Sequence, residues 1–558
     1  MVSSSGPVKG VLSLLSVLIV VALFFMPFLN KAFHIDDVAF MNISGMMDHN
    51  PLHAVPVDYP YMGKLVPGFT PYELTHPLLI PYFIKLVSAV FGASEIALHA
   101  AFLIFPVILL LALLKLNALL FSDAANRIVL VLFASMPAFL VNGQTLMTDV
   151  PMTAFLILSV VAFYTGLEDS PGKLIGASGA LVAALFVSYQ SLLFFPLFFY
   201  YAWLRRRLDL RVVLSLLVPV LLLLLWFFLV YRHHGLLPLI RTRIGGAGAD
   251  ILSEIRRGAL LQVMVGKAVF TVSALGGSAA FVMVYYHVIS GSVRRFSAEI
   301  AGLTLLFFLL VMQTVAYPAA GKILLAALAA LGVLSIREVV RVCRRSSGPA
   351  EGPQTLFLTA WFFTVLAYDL LLMPFGAVRY LLPALPPLLL LLLNGPLHGA
   401  AAVKRPVFTA AVLILSAAFG LASAVSDYHY AKVYREFAEE VKTFRQARAG
   451  SVTIWYIGEW GMRFYMDRAG AHYLFEMSEE PKKGDFVVTP EMPRQWLPSL
   501  QVQSRLLLYA TRNYDPVLPL QLFNSQAHAG FYGHFWGLLP FSFSPAPCES
   551  FKIWEVRY

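Results

Sequence analysis

Two adjacent carboxylates, Asp36 and Asp37 in His34-Ile35-Asp36-Asp37, follow directly after the first long apolar run of the chain. Neighbouring acids at an apolar boundary have raised, coupled proton affinities, and one of them can act as a base toward a hydroxyl. Acids so placed also cap a following helix, here expected over 38–47, by accepting from its free N–H groups. A third acid, Asp149, stands in Gly143-Gln144-Thr145-Leu146-Met147-Thr148-Asp149-Val150-Pro151. Asp shortly before Pro is ordinary helix-start chemistry, so its meaning depends on whether it shares a face with Asp36. Arg379, in Phe375-Gly376-Ala377-Val378-Arg379-Tyr380, is a permanently charged planar donor suited to a phosphate. The plainer reading is an arginine snorkelling from a helix end. His76, before Pro77, either adds a second donor to the same phosphate or is structural. His233 and His234 with Asp250 and Glu254 lack metal-ligand spacing, and the glycines of 245–248 lack the strand–loop–Lys context of a phosphate loop.

The elements that must position these residues are set by composition. The chain has 558 residues, 59% of them hydrophobic and only 13% charged, with a mean hydropathy of +0.74. Soluble domains carry roughly a quarter charged residues, so a cytosolic enzyme, a disordered chain and a secreted disulfide scaffold are excluded and a polytopic membrane protein remains. Two cysteines, Cys343 and Cys548, rule out a stapled framework. Spans are expected near 9–29, 95–116, 127–142, 150–167, 173–188, 189–204, 211–231, 268–290, 298–316, 319–336, 355–373, 380–396 and 405–425, about thirteen helices. The first reads as a retained signal anchor.

Basic residues fix the orientation. With the N-terminus in the cytoplasm, the inner loops hold Lys9, Lys115, Arg127, Lys173, Arg205, Arg206, Arg207, Arg211, Arg294, Arg295, Arg337, Arg341, Arg344, Arg345, Lys404 and Arg405. The net charge of +10 is therefore a topology signal with anionic membrane lipid as its partner, and nucleic acid is not implied. Asp36, Asp149 and Arg379 then all fall on the outer face. Two outer segments exceed mere connectors. In 30–94 the apolar stretch 77–91 is read as a helix along the interface, because a further crossing would invert the charge of every later loop. The loop 232–267 carries six basic residues on the side that should be poor in them, Arg241 and Arg243 among them, and so suggests a site that handles anions. After a membrane module of 1–426, residues 427–558 hold fourteen basic and fourteen acidic residues, with strand-like runs at 452–457, 486–489, 505–509 and 551–556 and a helix near 460–468. This is read as an extracytoplasmic α/β domain.

Taken in order, the acidic pair after the first span, His76-Pro77-Leu78 opening the interfacial helix, Met147-Thr148-Asp149-Val150-Pro151, and Arg379-Tyr380-Leu381-Leu382-Pro383-Ala384-Leu385-Pro386 resemble the GT-C glycosyltransferases. The resemblance is to the dolichyl-phosphate-mannose–protein mannosyltransferase branch and its relative, the lipid A aminoarabinose transferase, and spans 1–425. It implies a sugar carried on a polyprenyl phosphate and moved, hexosyl or pentosyl, to a hydroxyl of a protein, lipid or glycan, with inversion, at the outer face of a bacterial-type plasma membrane. By the same resemblance Asp36, with Asp37 beside it, acts on the acceptor, Asp149 shapes the site, and Arg379 holds the donor phosphate; His76, and Arg241 and Arg243 of the basic loop, are read from their own chemistry and position as further phosphate contacts. Thr75 and His76 stand where the lipid A transferase has a Glu-Lys pair, which separates this chain from a close claim to lipid A. No nucleotide or ATP is needed, and Asp36 and Asp149 are compatible with a divalent metal without establishing one.

Two rivals follow from the same residues. A secondary transporter would place ionisable groups at mid-membrane and show internal repeats, and neither is visible. A lipid-binding scaffold of the envelope would keep the helices and use the outer domain to recruit partners.

Overall fold

The computed structural model describes the chain except residues 1–6, 49, 51, 74–75, 122, 169, 171, 239–259, 346–351, 398–404, 449–451 and 493–502. Arg241 and Arg243, with the glycine loop 245–248, lie outside the described residues. The protein is a polytopic helical protein with a C-terminal, strand-containing domain. Among the described residues nine helices are long and apolar enough to cross a membrane, or ten if one bent pair counts as a span.

Each of the thirteen expected spans coincides with helix, but four are short or broken. Residues 127–142 form Asn126–Ala134 and Pro137–Gln144, bent by 66°. Pro137 lacks the N–H needed to continue the first helix, so the second restarts there. Lys173–Val187 stops where Ser188 turns extended, and a short 3₁₀ turn, Tyr189–Leu193, leads into the eleven-residue helix Phe194–Leu204. Near 380 a 3₁₀ segment, Val378–Ala384, precedes the helix Leu385–Leu397. The sequence pattern reports hydropathy, whereas these breaks are made by backbone chemistry that hydropathy does not see. Leu79–Phe91 is thirteen residues long, about 20 Å, against a hydrocarbon core of about 30 Å. It buries Ile80, Pro81, Ile84 and Val87 and leaves Leu86, Val90 and Phe91 exposed, so it is apolar on both faces.

Small residues draw the helices together. A Cβ on Gly276 would come within 1.9 Å of the Leu328 carbonyl oxygen, and one on Gly332 within 2.0 Å of the Val272 oxygen. These two glycines let the helices Leu260–Ile289 and Ala319–Arg345 touch backbone to backbone. At the end opposite Asp36, Arg337 and Arg341 enclose the buried Glu338, and Arg337 also reaches Glu299.

The last long apolar helix runs unbroken from Pro406 to Ala447, forty-two residues, so the expected 426/427 boundary falls inside it and the C-terminal domain follows a continuous rod. That domain holds a five-stranded sheet ordered His472–Tyr473, Ile454–Tyr456, Phe486–Pro490, Glu549–Val556 and Leu506–Tyr514. The first three strands are parallel and the last two join antiparallel. Cys343 and Cys548 are both free. The segment after the first long helix contributes a short helix, Asp37–Met46, and a hairpin, Val57–Tyr61 with Lys64–Phe69. The soluble domain grips the tip of that hairpin: Met62 N donates to Glu459 Oε1 at 2.8 Å and Gly63 N to the Tyr473 hydroxyl at 2.9 Å.

Candidate active site

Three of the residues singled out by type and position meet at one end of the bundle. Asp36 stands at the N-cap of Asp37–Met46, Asp149 is the first residue of Asp149–Glu168, and Arg379 lies in the 3₁₀ segment Val378–Ala384. Arg379 Nη2 is 2.9 Å from Asp36 Oδ2, and its Nε is 3.9 Å from Asp149 Oδ2. The guanidinium also approaches the Met147 sulfur at 3.4 Å and the Tyr380 hydroxyl at 3.5 Å, and lies 5.2 Å from the Tyr380 ring centroid. Arg379 and Asp149 are only 9% and 10% exposed, whereas Asp36 is 38% exposed, so the site opens to its surroundings on the Asp36 side. The residue before Asp36 is strained: Ile35 has φ of +48° while fully inside the fold. A β-branched side chain in that region costs on the order of 1–3 kcal/mol and persists only where the surroundings impose it.

His76 reaches the same place. Its Nδ1 lies 3.5 Å from Thr148 Oγ1, and its ring packs on Phe40. Burial, aided by the Arg379 charge and opposed by Asp36, pushes its pKa down to about 4. At neutral pH it is an uncharged imidazole able to donate one hydrogen bond. Tyr61, at the hairpin tip, is close enough to Asp36 for that carboxylate to help hold its phenol well above the ordinary value, after burial itself.

Asp37 is placed differently from its neighbour. It is wholly buried, and both of its oxygens are taken: Oδ1 accepts from Leu146 N at 2.7 Å and Oδ2 from His34 N at 3.2 Å. Burial works against its charge, but the His34 hydrogen bond and the charges of His34, His99 and Lys31 outweigh it and keep the carboxyl below its usual range. Asp37 therefore ties the turn bearing Asp36 to the loop that leads into Asp149. It does not face the opening.

Behind it lies a buried charged cluster that the sequence reading did not pick out. Lys31 Nζ is 2.5 Å from Asp427 Oδ2, and His34 bridges the two acids, with Nδ1 3.5 Å from Asp37 and Nε2 3.4 Å from Asp427. Tyr532 donates to Asp427 Oδ1 at 2.9 Å and lies 3.1 Å from His34 Nε2. Burial and Lys31 push the His34 pKa down, but Asp427 and the hydrogen bonds to both acids push it up by more, so it stands above the ordinary histidine value. Lys31 and His34 thus face Asp37 and Asp427 in one buried network, the pairing that charge this deep requires. The available signal was charge beside long apolar runs, Lys31 after the first and Asp427 within the last.

Of the weaker candidates, His234 gives Nε2 to the Leu52 carbonyl at 2.7 Å and packs on the Tyr72 ring, both structural roles. Among the described residues no group of three His, Cys, Asp or Glu side chains is placed to hold a metal ion. Asp36 and Asp149 offer two carboxylates, and both face Arg379.

The soluble domain leans into this site through His534, which is 6% exposed and accepts from Gly376 N through Nδ1 at 3.0 Å. Burial, together with Lys267, pushes its pKa down to about 4, below the unfolded value of about 6.5. The unfolded chain thus binds the extra proton between pH 6.5 and 4, so stability is full above that window and falls as the pH drops through it. Thermal unfolding followed across pH 4–7 should show this decline, by about 3 kcal/mol for the single group. In His534→Asn the decline should be shallower.

Comparison with known proteins gives a match over part of the chain. Residues 75–231, which include His76 and Asp149, match the family model described as dolichyl-phosphate-mannose-protein mannosyltransferase. No curated protein matches the sequence. Among solved structures, the archaeal oligosaccharyltransferase AglB from Archaeoglobus fulgidus, in complex with an inhibitory peptide and a dolichol-phosphate, aligns with a TM-score of 0.48 and 13% identity over 86% of this chain and 69% of its own. ArnT from Cupriavidus metallidurans bound to undecaprenyl phosphate aligns with a TM-score of 0.41 and 12% identity over 91% of this chain and 97% of its own. In its sequence, over residues 75–231, this chain resembles the dolichyl-phosphate-mannose–protein mannosyltransferases.

Proposed function

We propose that this protein is an inverting glycosyltransferase that moves a sugar from a polyprenyl-phosphate donor to a hydroxyl acceptor at the outer surface of a plasma membrane. The observation that carries this reading is the Arg379 guanidinium held between Asp36 and Asp149 at one end of an apolar helix bundle, with only Asp36 open. A fatty donor reaches such a site sideways from the bilayer, and a lipid-phosphate sugar already carries its leaving group, so no nucleotide is needed there.

The chemistry follows from the charges. A polyprenyl-phosphate sugar is a phosphodiester with one negative charge, and breaking its bond to the sugar leaves a monoester with up to two. Arg379 stabilises the charge that grows on the departing phosphate. As the phosphate engages the guanidinium it displaces Asp36, whose freed carboxylate takes the acceptor hydroxyl's proton while that oxygen bonds to the anomeric carbon. Proton removal of this kind contributes roughly 10²–10⁴-fold. Attack opposite the leaving phosphate inverts the anomeric centre, and no second carboxylate nucleophile is called for. Asp149 keeps the arginine aimed, and His76 offers a neutral hydrogen bond to a phosphate oxygen. Arg241 and Arg243 are assigned as further donor contacts on their charge and outer-loop position. We assign residues 1–426 to catalysis and 427–558 to acceptor selection, with the N-terminus cytoplasmic.

The test is a donor panel. Purified protein in lipid nanodiscs is given radiolabelled polyprenyl-phosphate mannose, galactose and aminoarabinose with peptide, lipid and glycan acceptors. Loss of label from one lipid donor, with a product of opposite anomeric configuration, is expected. Retention of configuration, or no release from any donor with any acceptor, would sink the reading.

A further inference from the structure

The soluble domain does more than stand over the membrane module. A four-residue stretch of it, 531–534, touches both halves of the site. On the arginine side, Val378 N donates to the Phe531 carbonyl at 2.9 Å and His534 N donates to the Gly376 carbonyl at 2.9 Å. Gly376 N returns the bond to His534 Nδ1 at 3.0 Å. The two residues flanking Ala377, immediately before Arg379, are therefore held at three points. On the acid side, the Tyr532 hydroxyl donates to Asp427 and meets His34, which contacts Asp37, which in turn holds Leu146 N. Phe531, Tyr532 and His534 are each at most 6% exposed. The stretch is braced by its own domain, since Phe531 N donates to Leu522 O and Gly530 N to Leu539 O.

We propose that residues 531–534 are a positioning element that sets the spacing between the Arg379 loop and the acidic pair, His534 governing the arginine side and Tyr532 the acid side. The geometry makes the two roles separable. Among the described residues His534 meets the Arg379 segment at the backbone of Gly376, whereas the Tyr532 hydroxyl meets Asp427 and His34, the latter in contact with Asp37. Neither side chain is proposed to touch substrate. The inference rests on the transferase reading for its kinetic consequences, but the clamp itself does not.

Removing one such hydrogen bond costs on the order of 1 kcal/mol, which reads as roughly a five- to tenfold effect. In His534→Ala the loosened arginine should raise donor KM by that factor with kcat little changed. In Tyr532→Phe the loosened acid should lower kcat by roughly that factor with donor KM little changed. His534→Asn, whose carbonyl oxygen can replace Nδ1 as the acceptor, should restore donor KM. Amide hydrogen exchange supplies a readout that needs no turnover: peptides covering 374–382 should exchange faster in His534→Ala and return toward wild type in His534→Asn. Identical kinetic changes in the two variants, or unaltered exchange at 374–382 in His534→Ala, would overturn the proposal. A wild type that transfers no sugar would instead defeat the functional reading, and the exchange result would still decide the clamp.

Discussion

Replacing Asp36 with asparagine should reduce sugar transfer by roughly 10²–10⁴-fold, the range expected when a positioned base is lost. The substitution keeps the shape and one acceptor oxygen, so folding should be retained. Donor binding should be retained as well, since Arg379 is left without the carboxylate that sits 2.9 Å from it. The contrast with the adjacent position is the informative part. Asp37→Asn changes a buried group whose oxygens hold Leu146 N and His34 N, and the asparagine oxygen can keep the shorter of those bonds. Its activity should fall by roughly tenfold, the effect of a weakened buried hydrogen bond rather than of a missing base. Rates for both variants at saturating donor and acceptor check this. Equal and severe losses at both positions would show that the two acids act together on the acceptor.

Arg379→Ala carries the second large expectation. A charge-assisted, planar donor is lost at a site where charge accumulates on the leaving group, and removal of one such stabilising donor typically costs about 10²–10³-fold in kcat. The two carboxylates it neutralises would also face a phosphate directly, so donor saturation should disappear with turnover. Arg379→Lys restores the charge without the planar fork and should recover only part of the activity. Steady-state rates against donor concentration distinguish the variants: Ala abolishes saturation, and Lys raises donor KM while retaining measurable kcat.

Much of this site was legible because its residues break local rules. Asp36, Asp149 and Arg379 are charges at the ends of long apolar runs, and the structure brings them together across more than 340 residues of chain. The strands Phe486–Pro490 and Glu549–Val556 were legible too, being continuous apolar or alternating runs. The division of labour within the acidic pair was not. Successive residues at a helix start point about 100° apart, and nothing in Asp36-Asp37 says which one faces inward. Lys31 and Asp427 are nearly 400 positions apart and their pairing exists only once the first and last spans pack. The stretch 531–534 has no pattern of its own, because, apart from local bonds such as Phe531 N to Leu522 O, its hydrogen bonds go to distant positions at 376–378, His34 and Asp427. Span lengths failed at Pro137 and Ser188, where backbone chemistry interrupts a run that hydropathy reads as continuous.

The central claim is that a donor phosphate replaces Asp36 on Arg379, and the most direct measurement is the affinity of purified protein in nanodiscs for unlabelled polyprenyl phosphate. Wild type, Asp36→Asn and Arg379→Ala would be compared at one ionic strength. The account predicts binding by wild type, binding tighter by roughly tenfold in Asp36→Asn because the competing carboxylate is neutral, and loss of binding in Arg379→Ala. Equal affinity in wild type and Arg379→Ala would contradict it, since the phosphate would then be held somewhere other than between the two acids.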